Sequence, residues 1–364
     1  MGIFHYFWRP IFEAKRQIYT FITPMQTKNR KKTAKSTMTT VLAFFVCMSA
    51  YAQSTWLAGH SAAKNLIWEK KLERQVAFLA DTICQGRGTG SRASKEAAFW
   101  IEREFRKTGL LMIDSTYTKH FYAGHGQVGH NILGMLPGSV KTPCDRYVIV
   151  GAHYDHLGML DDKIYPGADA NASGVTAMLN LANMFSAMKT LGKRYDSNII
   201  FIAFDGKELS MAGSQDLWRK ISGGELHDPL TGESITPEKI SLMVNIDQVG
   251  STLAPLHDSR SDYLIMLGTH SLKPVDRELL EFCNRSYDIN LDISLDYYGS
   301  RNFTEIFYTL SDQKVFVENK VPAVLFTSGI TMNTNKTWDT VGNLDMGVLK
   351  KRIYLMYHWI DHML

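Results

Sequence analysis

Four short, predominantly apolar runs set the tightest limit on how this chain folds: Tyr147–Ala152, Asn198–Phe204, Leu242–Ile246 and Ala323–Thr327. Each has the length of a strand, and none alternates apolar with polar residues as a strand with one wet face does. Such runs belong to strands buried on both faces, so they predict a largely parallel sheet with helices on either side. Helical periodicity supplies the cover, in segments 66–80, 92–108, 173–188, 211–221, 274–286 and 346–362. Within 92–108, Ala97, Ala98, Trp100, Ile101 and Phe105 form an apolar stripe, and Ser91 stands where an N-cap belongs. The fold class is therefore α/β, a mixed, largely parallel central sheet sandwiched by helices. Segments 222–239 and 251–262, rich in Gly, Pro, Ser and Asp, read as long loops that either rim a cleft or are inert insertions.

With 364 residues, 45% of them apolar, the chain can bury one large core. Its formal charge of +4 is unevenly placed. Residues 1–52 hold eight Lys/Arg and one Glu, which leaves 32 basic against 35 acidic residues, or −3, in the remainder. That balance offers nothing to nucleic acid or to an anionic membrane. The basic surplus has the form of a leader: Lys28, Arg30, Lys31, Lys32 and Lys35, then apolar Val41–Met48, then Ala50-Tyr51-Ala52 as a cleavage site before Gln53. Met25 is an alternative start, and no lipobox precedes Cys47. The apolar run is too short to cross a bilayer. Residues 1–52 thus read as a leader with a secretory signal. Residues 53–364 read as a single domain, exported to the periplasm or beyond, with no stable membrane span. Cys84, Cys144 and Cys283 then allow one disulfide and one free thiol, without specifying the pair.

The chemistry-bearing residues follow the apolar runs. GAHYDHLG at 151–158, AFDGKELSMAGS at 203–214 and VNIDQVG at 244–250 place His153, Asp155, Asp205, Glu208 and Asp247 just beyond predicted strands. The carboxyl ends of strands are where working residues of such sheets gather. With PGADANASG at 166–174, GRGTGS at 86–91 and HNILGMLPGS at 130–139, these segments resemble the zinc aminopeptidases of clan MH, metallopeptidase family 28. That group includes two-zinc aminopeptidases, glutamate carboxypeptidase and, more distantly, glutaminyl cyclase. The resemblance runs from about residue 80 to the C-terminus and implies a zinc-exopeptidase (phosphorylase/hydrolase-like) fold. It makes His153 a ligand of a first zinc, Asp155 the carboxylate that orients it, Asp247 the other terminal ligand, and Glu208 a ligand of a second zinc.

The same resemblance exposes three departures. In the family motif GADDNASG the second Asp bridges both metals, and here that position is Ala170. The first Glu of a Glu-Glu pair is the general base, and here it is Lys207. A His ligand precedes an Asp-Thr pair, and here, within Ser328–Thr340, it is Asn335. The family's Ser-Asp-His reads Ser311-Asp312-Gln313.

A zinc site of this kind needs three protein ligands plus water, and paired ions need a bridging carboxylate. The first zinc would retain His153 and Asp247, the second only Glu208, unless a backbone shift offered Asp169. A protonated Lys207 cannot accept a proton, and its ammonium at ~5 Å would repel each unit of metal charge by roughly 3 kcal/mol at an effective dielectric near 20. Asp247, Glu208 and Lys207 sum to −1, against −4 for the family's carboxylates without metal. The expectation is a pseudo-peptidase that binds a peptide or protein partner in its cleft, with no cofactor, or zinc if any metal is retained. The alternative is an active metalloexopeptidase with a rearranged or mononuclear site. Glutaminyl cyclase chemistry needs the same lost positions. Serine hydrolase chemistry lacks a G-x-S-x-G elbow, and Ser173 reads as a helix cap.

Overall fold

A computed structural model describes residues 63–124, 126–138, 145–252 and 262–364, all within the unit Ala63–Leu364. The expected leader, Cys144 and most of 251–262 lie outside the described residues. Eight strands form one sheet: β1 (Thr118–Gly124), β2 (Gln127–Leu136), β3 (Tyr147–His153), β4 (Asn198–Phe204), β5 (Ile240–Ile246), β6 (Tyr263–Leu267), β7 (Asp292–Ser294) and β8 (Ala323–Thr327). Their order is β1-β2-β4-β3-β5-β8-β6-β7. The central four, β4, β3, β5 and β8, run parallel, whereas β1 and β2 pair antiparallel with their neighbours, and β6 pairs antiparallel with β8 but parallel with β7. Every residue of β3 and β4 is buried, the condition that their continuous apolarity implied.

Among the described residues, eight α-helices carry the cover: α1 (Glu69–Leu79), α2 (Arg92–Thr108), α3 (Gly174–Thr190), α4 (Ala212–Ser222), α5 (Pro274–Ser286), α6 (Arg301–Tyr308), α7 (Lys314–Glu318) and α8 (Met346–Met363). On one face, α3 packs on β3 and β5 and is itself covered by α2 and α8, which explains why it is apolar nearly all round. On the other face, α4 and α7 close a core in which Leu217, Ile221 and Phe316 meet Ile149, Ile202 and Met243. Ser91 does cap α2: its Oγ accepts from the Ser94 N–H at 3.0 Å. Ser173 does not cap α3. Its hydroxyl donates to the Asp169 carbonyl and accepts from the Val249 N–H, tying two loops together.

The sequence pattern missed β1, β2, β6, β7, α6 and α7. The apolar stretch of β2 is broken by Gly134, whose missing side chain lets the strand approach α2: a Cβ there would meet Leu110 at 2.9 Å and Phe105 at 3.1 Å. Loop 222–239 rims nothing near the strand carboxyl ends. Leu226 and Ile235 are buried in the core, and Asp228 accepts from the Tyr147 hydroxyl at 2.6 Å, at the amino end of β3. Cys84 and Cys283 are both buried, free thiols.

Candidate functional site

The carboxyl ends of β3, β4 and β5 deliver their polar residues to one place. His153 is the last residue of β3, fully buried. Its Nδ1 lies 3.0 Å from the backbone carbonyl of Asp155 and 3.6 Å from that residue's carboxylate, so the carbonyl is the nearer orienting group. Its Nε2 lies 3.2 Å from Asp247 Oδ1. The other oxygen of Asp247 accepts from Ser311 Oγ at 2.7 Å. Asp155 Oδ2 accepts from the Glu208 N–H at 3.0 Å, which anchors the turn after β4. On that turn Lys207 reaches Glu208 Oε1 at 3.0 Å, with a side chain only 20% exposed.

Electrostatics follows this geometry. Burial alone would lower the basicity of Lys207, but Asp247, Glu208 and Asp155 outweigh it and hold the ammonium protonated well above its ordinary range. Burial likewise opposes the imidazolium of His153, and Asp247 with Asp155 overcomes it, pushing the pKa up to about 10. Burial would raise Asp247, but His153 and Lys207 keep its carboxyl far below the usual range. The result is a buried, alternating arrangement of cations and anions.

The remaining expected positions lie around this cluster. Ala170 is buried in a kinked segment, Ala168–Ser173, with a cis peptide to Asn171, and donates its N–H to Asp339 Oδ2 at 3.1 Å. Asp169 does not turn into the cluster. Its Oδ1 accepts from the N–H groups of Gly250 at 2.8 Å and Ser251 at 3.2 Å, and from Ser173 Oγ at 3.0 Å. Asn335 is exposed on the turn after β8, with φ of 59°, and no hydrogen bond joins it to His153, Lys207 or Asp247. Its neighbour Thr334 donates to Gln248 Oε1 at 2.9 Å, so the turn still abuts the end of β5. Asp205 serves the frame: it accepts from the His130 N–H, the Gly206 N–H, Thr89 Oγ1 and the Tyr154 hydroxyl.

Sequence reasoning assigned no role to Arg87, Asp339, His156 or Asp312. Arg87 is fully buried and donates to four carbonyls, those of Leu79, Tyr154, Pro166 and Gly167, thereby pinning the loops on both sides of the cluster. The signal for it was its place in GRGTGS, where an Arg among glycines has no solvent-facing reason. Asp339 receives the N–H groups of Asp169 and Ala170. His156 is buried against Gly167. Burial, with the cations of Arg87, His153 and Lys207, keeps it neutral. Asp312 is fully buried, and burial pushes its pKa up to about 7 against the opposing influence of His153 and the Ser214 hydroxyl.

His153 and Asp247 stand at a separation close to that of two ligands bonded at about 2.0–2.1 Å to one tetrahedral ion. A third ligand does not join them: among the described residues, no three His, Cys, Asp or Glu side chains are grouped to hold a metal.

The sequence profile of peptidase family M28 matches residues 131–360. Aminopeptidase YwaD of Bacillus subtilis is 31% identical over 127 residues, 35% of this chain and 23% of that protein. Transferrin receptor protein 2 of Homo sapiens is 29% identical over 168 residues, 44% of this chain and 18% of the receptor. The alignments thus span about a quarter or less of these relatives. The solved structure of the zinc aminopeptidase BSAP from Bacillus subtilis superposes with a TM-score of 0.60 at 14% identity, covering 80% of this chain and 94% of that one.

Proposed function

Because the chain belongs to peptidase family M28, we propose that it is a pseudo-peptidase of that family, an aminopeptidase fold whose catalytic pocket holds an internal ion-pair network in place of metal. One observation carries the reading: Lys207 lies 3.0 Å from Glu208, in the field of Asp247 and Asp155. Zinc would have to displace or deprotonate that ammonium, and the carboxylates around it favour the charged form. The donor set present does not fit a zinc site, since Ala170 has no carboxylate and Asp169 is held away by Oδ1, which accepts from the 250–251 backbone. Nor does the pocket hold a general base, because the side chain at that position is a cation.

On this reading the chain keeps the frame without the hydrolytic apparatus and binds a peptide or protein segment at the carboxyl ends of the central strands. A relative whose name is that of a receptor supports a binding role on this fold. Export to the periplasm or beyond remains part of the proposal and rests on the leader.

The test is restoration. The combined variant Ala170→Asp, Lys207→Glu, Asn335→His is expected to acquire zinc and amino-acid arylamidase activity that a chelator removes, while the parent chain shows neither. Stoichiometric zinc in the parent, with turnover lost on His153→Ala, defeats the proposal in favour of a working exopeptidase.

A further inference from the structure

Eight of the eighteen large apolar side chains exposed among the described residues fall in one stretch, between Leu295 and Trp338. At its centre, Phe303, Ile306 and Leu310 point outward from α6 and the turn that ends it, each about half exposed. Rings carry the surface onward: Phe303 lies against Phe307, Phe307 stacks on Tyr297 at 4.0 Å, and Tyr297 meets Tyr298 at 4.6 Å. The Tyr298 hydroxyl donates to the Ile330 carbonyl at 2.8 Å, so exposed Ile330 and Met332 continue the same patch. A soluble chain rarely leaves a continuous apolar surface of this kind uncovered.

We propose that a second copy of this chain covers it, through antiparallel pairing of the two α6 helices about a twofold axis. The apolar positions 303, 306, 307 and 310 are spaced three, one and three, an order that reads the same in both directions. Antiparallel pairing therefore sets Phe303 of one copy against Leu310 of the other and Ile306 against Phe307, apolar on apolar throughout. The flanking charges do not oppose this. Arg301 and Glu305 neutralise each other within the helix at 3.0 Å, and residues 53–364 carry a net charge of only −3. Six half-exposed side chains at roughly 100 Å² each reach about 600 Å² per copy, the lower bound of a specific interface. Leu310 immediately precedes Ser311, the donor to Asp247, so the pairing also places the second copy at the edge of the pocket.

The proposal does not depend on whether the pocket holds metal, and its test is the mass of the purified chain by light scattering and sedimentation. A dimer is expected at micromolar concentration. Ile306→Glu and Ile306→Lys, each at a site 53% exposed, are expected to halve the mass with unchanged circular dichroism. Mixing the two variants is expected to restore the dimer, because the axis passes between positions 306 and 307 and so brings the two copies of residue 306 side by side, close enough for Glu and Lys to pair. A monomeric parent chain overturns the proposal, as does a dimer that both substitutions leave intact. Failure of the folded mixture to pair overturns the antiparallel register.

Discussion

Lys207 shows how one side chain changes the requirements of its surroundings. A buried carboxylate is costly unless paired, and here Asp247 is paired to His153 and lies in the field of an ammonium. Replacing Lys207 with Met leaves Asp247, Glu208 and Asp155 facing a single imidazolium. The side chain is a fifth exposed, so water screens part of the loss, and about 2–3 kcal/mol of destabilisation is expected in urea titration. Lys207→Arg is expected to retain most of that stability, and equal losses in both variants would point to packing rather than charge. Asp312 behaves oppositely. Its folded pKa of about 7 lies above the unfolded value, so its contribution is complete below about pH 4 and is lost as pH rises through 7. Asp312→Asn should therefore melt higher than the parent at pH 8.5, on the order of 5 °C, with the difference closing near pH 4. A pH-independent difference would show that the carboxyl is already neutral or already paired.

At the scale of elements, the pocket depends on loops that no strand holds in place. Arg87 takes that role from the turn before α2, with four carbonyl acceptors drawn from three separate segments. A lysine offers three donors from one point and cannot span them. Arg87→Lys is expected to cost about 2–4 kcal/mol, read as a lower urea midpoint with little change in slope. Removing the α2 cap by Ser91→Ala should cost about 1 kcal/mol, and the two losses should add if the turn and the helix end act independently. The helices with long amphipathic patterns were legible because an apolar stripe repeats within a few residues. α6 was not legible, since it is only eight residues long and its apolar residues divide between an inward pair, Phe307 and Tyr308, and an outward pair, Phe303 and Ile306. β1 was equally hidden: as an edge strand it buries only Phe121 and so carries no apolar run.

For the whole molecule, the consequence of an internal cation is a fold whose stability does not depend on metal. Binding to the native state alone raises stability by RT ln(1 + [L]/Kd), so micromolar zinc bound at nanomolar affinity would add about 4 kcal/mol. The melting temperature of the parent chain should not move with added zinc or with chelator, whereas that of the restored triple variant should fall on chelation. A parent chain that melts several degrees higher in zinc would place an ion in the pocket. The central strands, their parallel arrangement and the arrival of His153, Asp155, Glu208 and Asp247 at their carboxyl ends were set by the amino-acid sequence. Apolar runs and residues one or two positions beyond them are local properties that survive reading in one dimension. Only the tertiary structure decided that Asp169 turns to the 250–251 backbone, that loop 222–239 packs at the far edge of the sheet, and that an outward aromatic surface adjoins the pocket. Those outcomes depend on contacts between residues some tens of positions apart, which the sheet order creates and no local pattern encodes.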